Sequence, residues 1–592
     1  MKDFVKTMLA VICGLIILRI IGFIFLMMFI GSLSALGSGS SYTAPRSGGV
    51  LDMDMSAFVI AEQSKEEGSG FSPFSMEMLP AVGLQDAIDA IQAAAMDNSI
   101  HYILLRADDF SAGMSDLEEL RAALQEFRRS GKPVIAYTET PGNGSYYLSS
   151  VADKVYMSSN HGGNNMLIGL SGQMMFLKDA LDKVGVHMQL IRHGKYKSAG
   201  EMYIRNSASP ENREQNQQLV NSAWKTFSAA IADSRDITAE QLDKLIDDLA
   251  LNFPEDFFAA NLVDELVDHE TLLKRLCTLA QVENEKGLHL VPFADYAAAK
   301  VHSLPGRSNV AVIYADGEIL DGNGYDQVYG DRFVRIIDEV RKDKSVKAVV
   351  LRVNSPGGSV SASVKIRTAL DLLQQEKPLV ASFGNYAASG GYWISNGCQK
   401  IYADATTVTG SIGVFSMIPE FSEVTKKVGV GIETVGTHKH SDMFSLVRPF
   451  DNAELAYMQA SVEDIYESFV NLVATSRGKE SAEVDEIAQG RVWIGSDALE
   501  LGLVDEIGTL QDAIRYAAAM ADMHSSDEYK VVGYPQPLTL VEELMASFGK
   551  LPEEPSILSG TPFEAMGESI SAIRASEPAK VYARLPYAIE IR

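Results

Sequence analysis

One decapeptide occurs twice in this chain. DNSIHYILLR, Asp97 to Arg106, returns as DKSVKAVVLR, Asp343 to Arg352, with Asp, Ser, Leu and Arg retained and the apolar positions matched. GKPVIAY (Gly131 to Tyr137) returns as EKPLVAS (Glu376 to Ser382), GSYYLSS (Gly144 to Ser150) as SGGYWIS (Ser389 to Ser395), and Leu262-Val263-Asp264-Glu265 as Leu503-Val504-Asp505-Glu506. Solenoid repeats have periods of ~20–50 residues and need at least three copies. Two copies this far apart instead make the chain a duplicated domain. Within a copy, strands and helices alternate. Val50 to Met55 and Ala57 to Ile60 read as strands, and Tyr102 to Leu105 and Pro133 to Tyr137 are short apolar runs suited to buried ones. Leu84, Ala87, Ile88, Ile91 and Ala95 fall at helical spacing, as do Leu117, Leu120, Leu124 and Phe127. Such alternation predicts an α/β fold with a mainly parallel sheet. The first unit is expected over 49–298 and the second over 309–523, with amphipathic stretches at Asn216 to Ala232 and Glu454 to Ala474. A proline-bearing tail, 524–592, follows, with one helical segment at Leu538 to Phe548.

Ahead of the first copy, Thr7 to Leu36 is almost wholly apolar, interrupted by Arg19, preceded by Lys2 and Lys6 and followed by Gly37-Ser38-Gly39-Ser40-Ser41. A bilayer is spanned by ~20 apolar residues, so 1–40 is expected to be a cytoplasmic tail and one transmembrane helix. The basic residues lie on its N-terminal side, which exports the body. A cleaved signal peptide is the competing reading, with Ser34-Ala35-Leu36 as its small-residue end, but the apolar run is longer than an h-region of ~7–15 residues.

With 51 Lys+Arg against 78 Asp+Glu the formal charge is −27, which would repel nucleic acid. Cys13, Cys277 and Cys398 are too few and too scattered for a disulfide framework or a zinc site. His438 and His440 have only Asp442 nearby and read as a solvated loop, so neither metal nor cofactor is expected.

The copies diverge where chemistry would sit. Asn385 to Ile394, NYAASGGYWI, follows the apolar run Pro378 to Phe383: a strand, a tight turn, and a helix with Ser389 at its start. A helix N-terminus favours negative charge, which suits a nucleophile whose product is an oxyanion. A serine that merely caps the helix is the alternative. In the first copy Gly144 is matched to Ser389, and Asp108 to Ala112 stand in place of Asn354-Ser355-Pro356-Gly357-Gly358. Joint loss of the serine and the glycine pair suggests that only one copy keeps a reaction centre. A serine hydroxyl needs a base. His193 is the only nearby histidine. A lysine serves if burial brings its amine down from ~10.4. The first copy offers Lys197, in Gly194-Lys195-Tyr196-Lys197-Ser198-Ala199, where the second has Ser441 in the ungapped register; Lys195 and Lys439 are the other candidates.

The segments VLRVNSPGGSV, AASGGYWIS, VTGSIGVF, HGKYKSAGE and AQGRVWIGSDALELGLVDEIG resemble, in order and over essentially the whole chain, the motifs of the double-length bacterial signal peptide peptidase A (protease IV) family. The resemblance implies two tandem Clp/crotonase-like units of ββα superhelical repeats. It implies Ser389 as nucleophile, Lys197 as general base, Ser411 as the hydroxyl that orients the lysine, and Gly357, Gly358 and Gly390 as oxyanion donors. It further implies a serine protease without cofactor, held in the bacterial inner membrane with its body in the periplasm. Its substrates would be signal peptide remnants and other apolar peptides, and it would form a homo-oligomer, a tetramer in similar proteins. A crotonase-like acyl-CoA enzyme and an inactive peptide-binding scaffold are the rival classes.

Overall fold

The structure is a computed structural model that describes residues 49–64, 69–72, 77–301, 308–525, 528–536 and 581–584. All of them lie in one compact unit, Ser47–Arg592. The predicted anchor in 1–40 and the predicted helix at Leu538 to Phe548 fall outside the described residues. Among the described residues no helix is long and apolar enough to cross a membrane.

The first copy forms strands β1 (Gly49–Asp54), β2 (Ile100–Arg106), β3 (Val134–Thr138), β4 (Lys154–Ser158), β5 (His187–Arg192), β6 (Glu265–Val267) and β7 (His289–Pro292). All but β5 make one parallel sheet in the order β7-β1-β2-β3-β4-β6. Its helices include α1 (Leu84–Met96), α2 (Met114–Arg129), α3 (Asn143–Ser149) and α4 (Pro210–Arg235). Of the apolar residues read at helical spacing, Leu84, Ala87, Ile88 and Ile91 in α1 and Leu117, Leu120, Leu124 and Phe127 in α2 are buried, while Ala95 is half-buried.

The second copy repeats the plan with β8 (Ser308–Asp316), β9 (Val346–Ser355), β10 (Gly357–Ser359), β11 (Leu379–Ala388), β12 (Lys400–Ala403), β13 (Val408–Gly410), β14 (Phe415–Glu420), β15 (Val492–Ile494) and β16 (Tyr529–Tyr534). Its main sheet runs β15-β13-β11-β9-β8-β16, with β12 beside β11, and is parallel except for β15. Helices α5 (Val360–Gln374), α6 (Gly390–Ser395) and α7 (Asn452–Arg477) follow the same scheme. The ends of the two long helices are written in the sequence. Ser209 caps α4 ahead of Pro210, and Asp451 with Glu454 forms a capping box on α7. Asp236 and Gly478 stop the two helices in left-handed conformation. Strand β16 occupies against β8 the place that β7 holds against β1, so the repeated plan continues past Met523.

The duplication reaches individual hydrogen bonds. Ile103 pairs with Val134 as Val349 pairs with Leu379. Lys132 Nζ donates to the Ala94 and Asp97 carbonyls at 2.7 Å each, and Lys377 Nζ to those of Val340 and Asp343 at 2.6 and 2.5 Å. The Tyr146 hydroxyl donates to the Leu262 carbonyl as that of Tyr392 does to Leu503. This last pair corrects the match between the copies by one residue: Tyr146 answers Tyr392, so Asn143, not Gly144, stands opposite Ser389. Two consecutive tyrosines permitted either register in the sequence. The second of them, Tyr147, stacks on Phe227 at 4.0 Å instead.

A third sheet joins the copies. It runs Val328–Tyr329, Ile319–Leu320, β10, then β17 (Tyr582–Arg584), β14 and β5, so a strand of the first copy ends a sheet of the second. A second junction is polar and buried. Arg352, 1% exposed, lies 2.9 Å from Glu62 and 2.7 Å from Glu119, both from the first copy. Nearby, Glu118 accepts from the Thr406 and Ala405 N–H groups at 2.8 and 3.2 Å, and Ser115 donates to Asp404.

Candidate active site

Strand β11 runs directly into Ser389, and α6 starts one residue later. Ser389 has φ 56° and ψ −113°, a region non-glycine residues enter only when the surroundings enforce it. Two backbone bonds of 2.8 Å do so: Ser389 N–H donates to the Gly410 carbonyl, and Trp393 N–H to that of Ser389. Ser389 occupies the N-cap position, yet its side chain makes no capping hydrogen bond. Instead, Lys197 Nζ donates to Ser389 Oγ at 2.9 Å.

Lys197 reaches the serine because β5 pairs antiparallel with β14, Arg192 opposite Phe415, and delivers the following loop to the second copy. There Tyr196 N–H donates to the Gln489 carbonyl at 2.9 Å, and Arg192 donates to the Lys197 carbonyl at 2.6 Å. The lysine is 0% exposed, and its amine donates also to Ser411 Oγ at 2.9 Å and to the Ser411 carbonyl at 3.2 Å. Burial drives its pKa well below the ordinary lysine value, and no carboxylate counters it. A neutral amine keeps one lone pair. With its two N–H groups on Ser411, the 2.9 Å contact to Ser389 runs the other way in this neutral form, the Ser389 hydroxyl donating to the lone pair.

The three predicted glycines adjoin this pair. Gly357 has φ +96° and Gly358 φ +154°. A Cβ at Gly357 would overlap the Ala583 carbonyl oxygen and sit 2.6 Å from Gly390 N, and one at Gly358 would overlap the Ile319 carbonyl. Only glycine brings the two loops this close. The Gly357 N–H donates to Ser355 Oγ at 3.2 Å. The other candidate bases lie elsewhere. Lys195 is exposed over the Tyr196 ring at 5.0 Å, and Lys439, with a side chain 75% exposed, lies 3.5 Å from Asp451. His193 stacks on Tyr466 at 3.9 Å, and Ser441 sits in an exposed loop bonded to His438. Near that loop, His440, Asp451 and Glu454 converge, but Arg448 already takes Glu454 at 2.7 Å. Cys277 and Cys398 are buried free thiols.

Sequence reasoning missed the residues that seat the lysine. A Cβ at Gly490 would lie 2.5 Å from Lys197 Cβ, and one at Gly413 would lie 3.3 Å from Lys197 Cδ. Gln215, on α4, donates to the Tyr196 carbonyl at 3.2 Å and to Ser198 Oγ at 3.0 Å, and accepts from Val492 N–H at 3.3 Å. Arg491 donates to the Tyr196 hydroxyl at 2.9 Å. Nothing local in the run Ala488-Gln489-Gly490-Arg491 told this glycine, at φ +75°, from an ordinary turn glycine.

The family model for peptidase family S49 matches the chain twice, over residues 126–283 and 371–524. Protease 4 of Haemophilus influenzae is 34% identical over 525 residues, 85% of this chain and 83% of that protein. The chloroplastic serine protease SPPA of Arabidopsis thaliana is 29% identical over 513 residues, 85% of this chain and 74% of that protein. A putative signal peptide peptidase SppA of Enterococcus faecium is 38% identical over 190 residues, 32% of this chain and 55% of that protein. The twice-matched peptidase family and these protease relatives define a serine protease. The chain belongs to peptidase family S49, in the double-length form of signal peptide peptidase A.

Proposed function

We propose that the chain is a membrane-anchored endopeptidase with a Ser389–Lys197 dyad that degrades cleaved signal peptides and other apolar peptides. The observation that carries this reading is the 2.9 Å contact between a fully buried lysine amine and the hydroxyl of a strained serine. Neutral Lys197 takes the Ser389 proton as Oγ bonds to the scissile carbonyl carbon. The N–H groups of Gly390 and of the Gly357-Gly358 loop receive the oxyanion. Collapse breaks the C–N bond, and the lysine ammonium gives its proton to the leaving amine. The same lysine then deprotonates a water, which hydrolyses the acyl-enzyme and frees Ser389. Ser411 keeps the amine aimed throughout.

The dyad would form at the junction of two Clp/crotonase-like units, 49–298 and one that begins at 309 and runs on past 523 through β16. The apolar run in 1–40 supports a single inner-membrane anchor with the body in the periplasm. A homo-oligomer is supported by the exposed apolar strip Val428, Val430, Ile432 and Val435. The test is hydrolysis of a small-residue peptide ester together with labelling by an acylating inhibitor. Ser389→Ala and Lys197→Ala are each expected to abolish turnover with the fold intact, and peptide mass spectrometry is expected to find the label on Ser389. Full turnover by Lys197→Ala, with loss in Lys195→Ala or Lys439→Ala, would refute the dyad.

A further inference from the structure

The helix α2 of the first copy takes its N-cap from the second. In the second copy Ser359 ends β10 and caps α5, its Oγ accepting from Ala362 N–H at 3.3 Å. By the match of Asn143 with Ser389, Gly113 stands in the place of Ser359, and it has no side chain with which to cap α2. Asn385 supplies what is missing. Its Oδ1 accepts from Ser115 N–H at 3.1 Å, and its Nδ2 donates at 3.0 Å to the Asp116 carboxylate, which also accepts from Gly113 N–H at 2.9 Å. A Cβ at Gly113 would overlap that Oδ1, so the space of the absent cap is filled. A carboxamide suits the place because it meets a backbone N–H and a carboxylate with separate acceptor and donor atoms.

Asn385 is also the middle of an irregularity in β11. Phe383 is opposite Val353 and Ala387 opposite Ser355, so Gly384, Asn385 and Tyr386 together face the single residue Asn354 of β9. At this bulge β11 changes its other neighbour, from β12 up to Phe383 to β13 from Tyr386 onward. Ala387 and Ala388 then lead into Ser389. Bulges re-aim a chain next to active sites, and surplus residues left unheld let the register beyond them slip. Asn354 Oδ1 accepts from Tyr386 N–H at 3.2 Å, and the Gly384 carbonyl accepts from the Thr407 hydroxyl at 2.8 Å. The side chain between them is held by α2. Met114, the first residue of α2, packs on the apolar cluster that contains Ala388. In the first copy β3 ends at Thr138, in the place of Gly384, and there Asn143 replaces the serine.

We propose that Asn385 is a positioning residue: by capping α2 of the first copy it fixes the bulge of β11, and with it the place of Ser389 against Lys197. The inference rests on the reading of those two residues as a dyad. The first copy delivers the lysine through β5 and β14. Through Asn385 the same copy grips the strand that carries the serine, so both members of the pair are set by contacts between the copies. Release of the bulge frees Ser389 to move, and a displacement of about 1 Å costs ~100-fold in rate. The loss falls on kcat, because an interaction that only aligns the reacting atoms leaves binding of the ground state untouched.

The test measures hydrolysis of a peptide ester, labelling by an acylating inhibitor and amide hydrogen exchange on the full chain. Asn385→Ala is expected to lower kcat about 100-fold and to leave KM within about 2-fold. Lys132→Met removes an ammonium from the carbonyls at the end of α1 and is the control for lost stability, expected to keep the parent kcat. Asn385→Asp sets a carboxylate against that of Asp116 and is expected to be at least as slow as Asn385→Ala. Adding Asp116→Asn turns the repelled oxygen into an amide donor at the expense of the Gly113 bond, and is expected to recover about 10-fold. Parent kcat in Asn385→Ala, an equal loss in Lys132→Met, or no recovery in the double variant overturns the proposal. Exchange needs no turnover. Asn385→Ala is expected to speed exchange of the Tyr386 to Gly390 amides at least ~10-fold, and unchanged exchange overturns the proposal even in a protein that hydrolyses nothing. A parent chain that neither turns over ester nor takes the label on Ser389 would refute the dyad, while faster exchange in Asn385→Ala would leave the capped bulge standing.

Discussion

Replacing Gly490 by alanine tests whether the placement of Lys197 sets the rate. The added Cβ would lie 2.5 Å from Lys197 Cβ and 2.7 Å from its Cα and N. Carbon atoms rest at ~3.5–4.0 Å, so relief needs a separation of about 1 Å. The partners at Gly490 are backbone and Cβ atoms, which cannot rotate aside. A shift of that size carries Nζ from 2.9 Å toward about 4 Å from Ser389 Oγ, beyond hydrogen-bond reach. A 1 Å misplacement costs ~100-fold in rate, about 2.7 kcal/mol. Stability falls separately by ~1–3 kcal/mol from crowding and ~1–2 kcal/mol from a side chain at φ +75°. Gly478→Ala is the control. Its φ is +63° and nothing lies within 4 Å of the added Cβ, so it carries the backbone strain alone. Steady-state hydrolysis of a peptide ester and urea unfolding would be measured on both. Gly490→Ala is expected to lose about 100-fold in kcat/KM and Gly478→Ala nothing. Wild-type turnover by Gly490→Ala, or an equal loss in Gly478→Ala, would refute the reasoning.

Lys197→Arg is expected to be as inactive as Lys197→Ala, because a guanidinium does not give up its proton; the same ester assay decides. Because burial holds the Lys197 amine well below the ordinary lysine range, kcat/KM is expected to rise with pH through a midpoint far short of ~10.5. The unfolded chain binds that proton where the folded one does not, so the lysine costs stability at neutral pH, less as pH approaches ~10.5. Lys197→Met should therefore raise Tm while removing activity. At the polar junction the signs reverse. Burial pushes Asp116, which accepts from Asn385 across this junction at 3.0 Å, and Glu118 up to about 7, so between ~4 and about 7 the folded chain holds protons the unfolded one lacks. Stability is expected to fall as pH rises through that window and to level above it. Tm at pH 5.5 against pH 8 reads this, and Asp116→Asn should flatten the slope. Arg352→Ala leaves Glu62 and Glu119 facing each other without a cation and is expected to cost ~3–5 kcal/mol in urea unfolding.

What the sequence disclosed followed from local pattern. The buried stripes of α1 and α2 were largely readable because helix period and apolar period coincide, and strands β2, β3 and β11 because each contains a short apolar run. The duplication extends to the strand registers, as Ile103 with Val134 and Val349 with Leu379 show. The match between the copies slipped by one residue at Tyr146-Tyr147, where composition is degenerate and only the partner of the hydroxyl tells the two apart. At the site, Ser389, Lys197 and Ser411 lie in contact, and it was long motifs that singled them out. Nothing local announces that a lysine 192 positions away in sequence will be buried beside a serine. The crossing of β5 to β14 and the insertion of β17 were illegible for the same reason. A three-residue strand has no period to detect, and its partners are fixed by tertiary packing alone.

The crossing of β5 into the second copy has a consequence for the life of the chain. Synthesis runs from the amino end, so the lysine emerges long before the serine, and the loop that seats Lys197 is closed by Gln489, Gly490 and Arg491, later still. On the proposed dyad, neither copy alone has a base beside its nucleophile. A nascent or half-folded chain would then be inert toward itself and its neighbours, and proteolytic capacity would arrive only when the two copies have closed on each other. Duplication would thus make the joining of two halves the condition for activity.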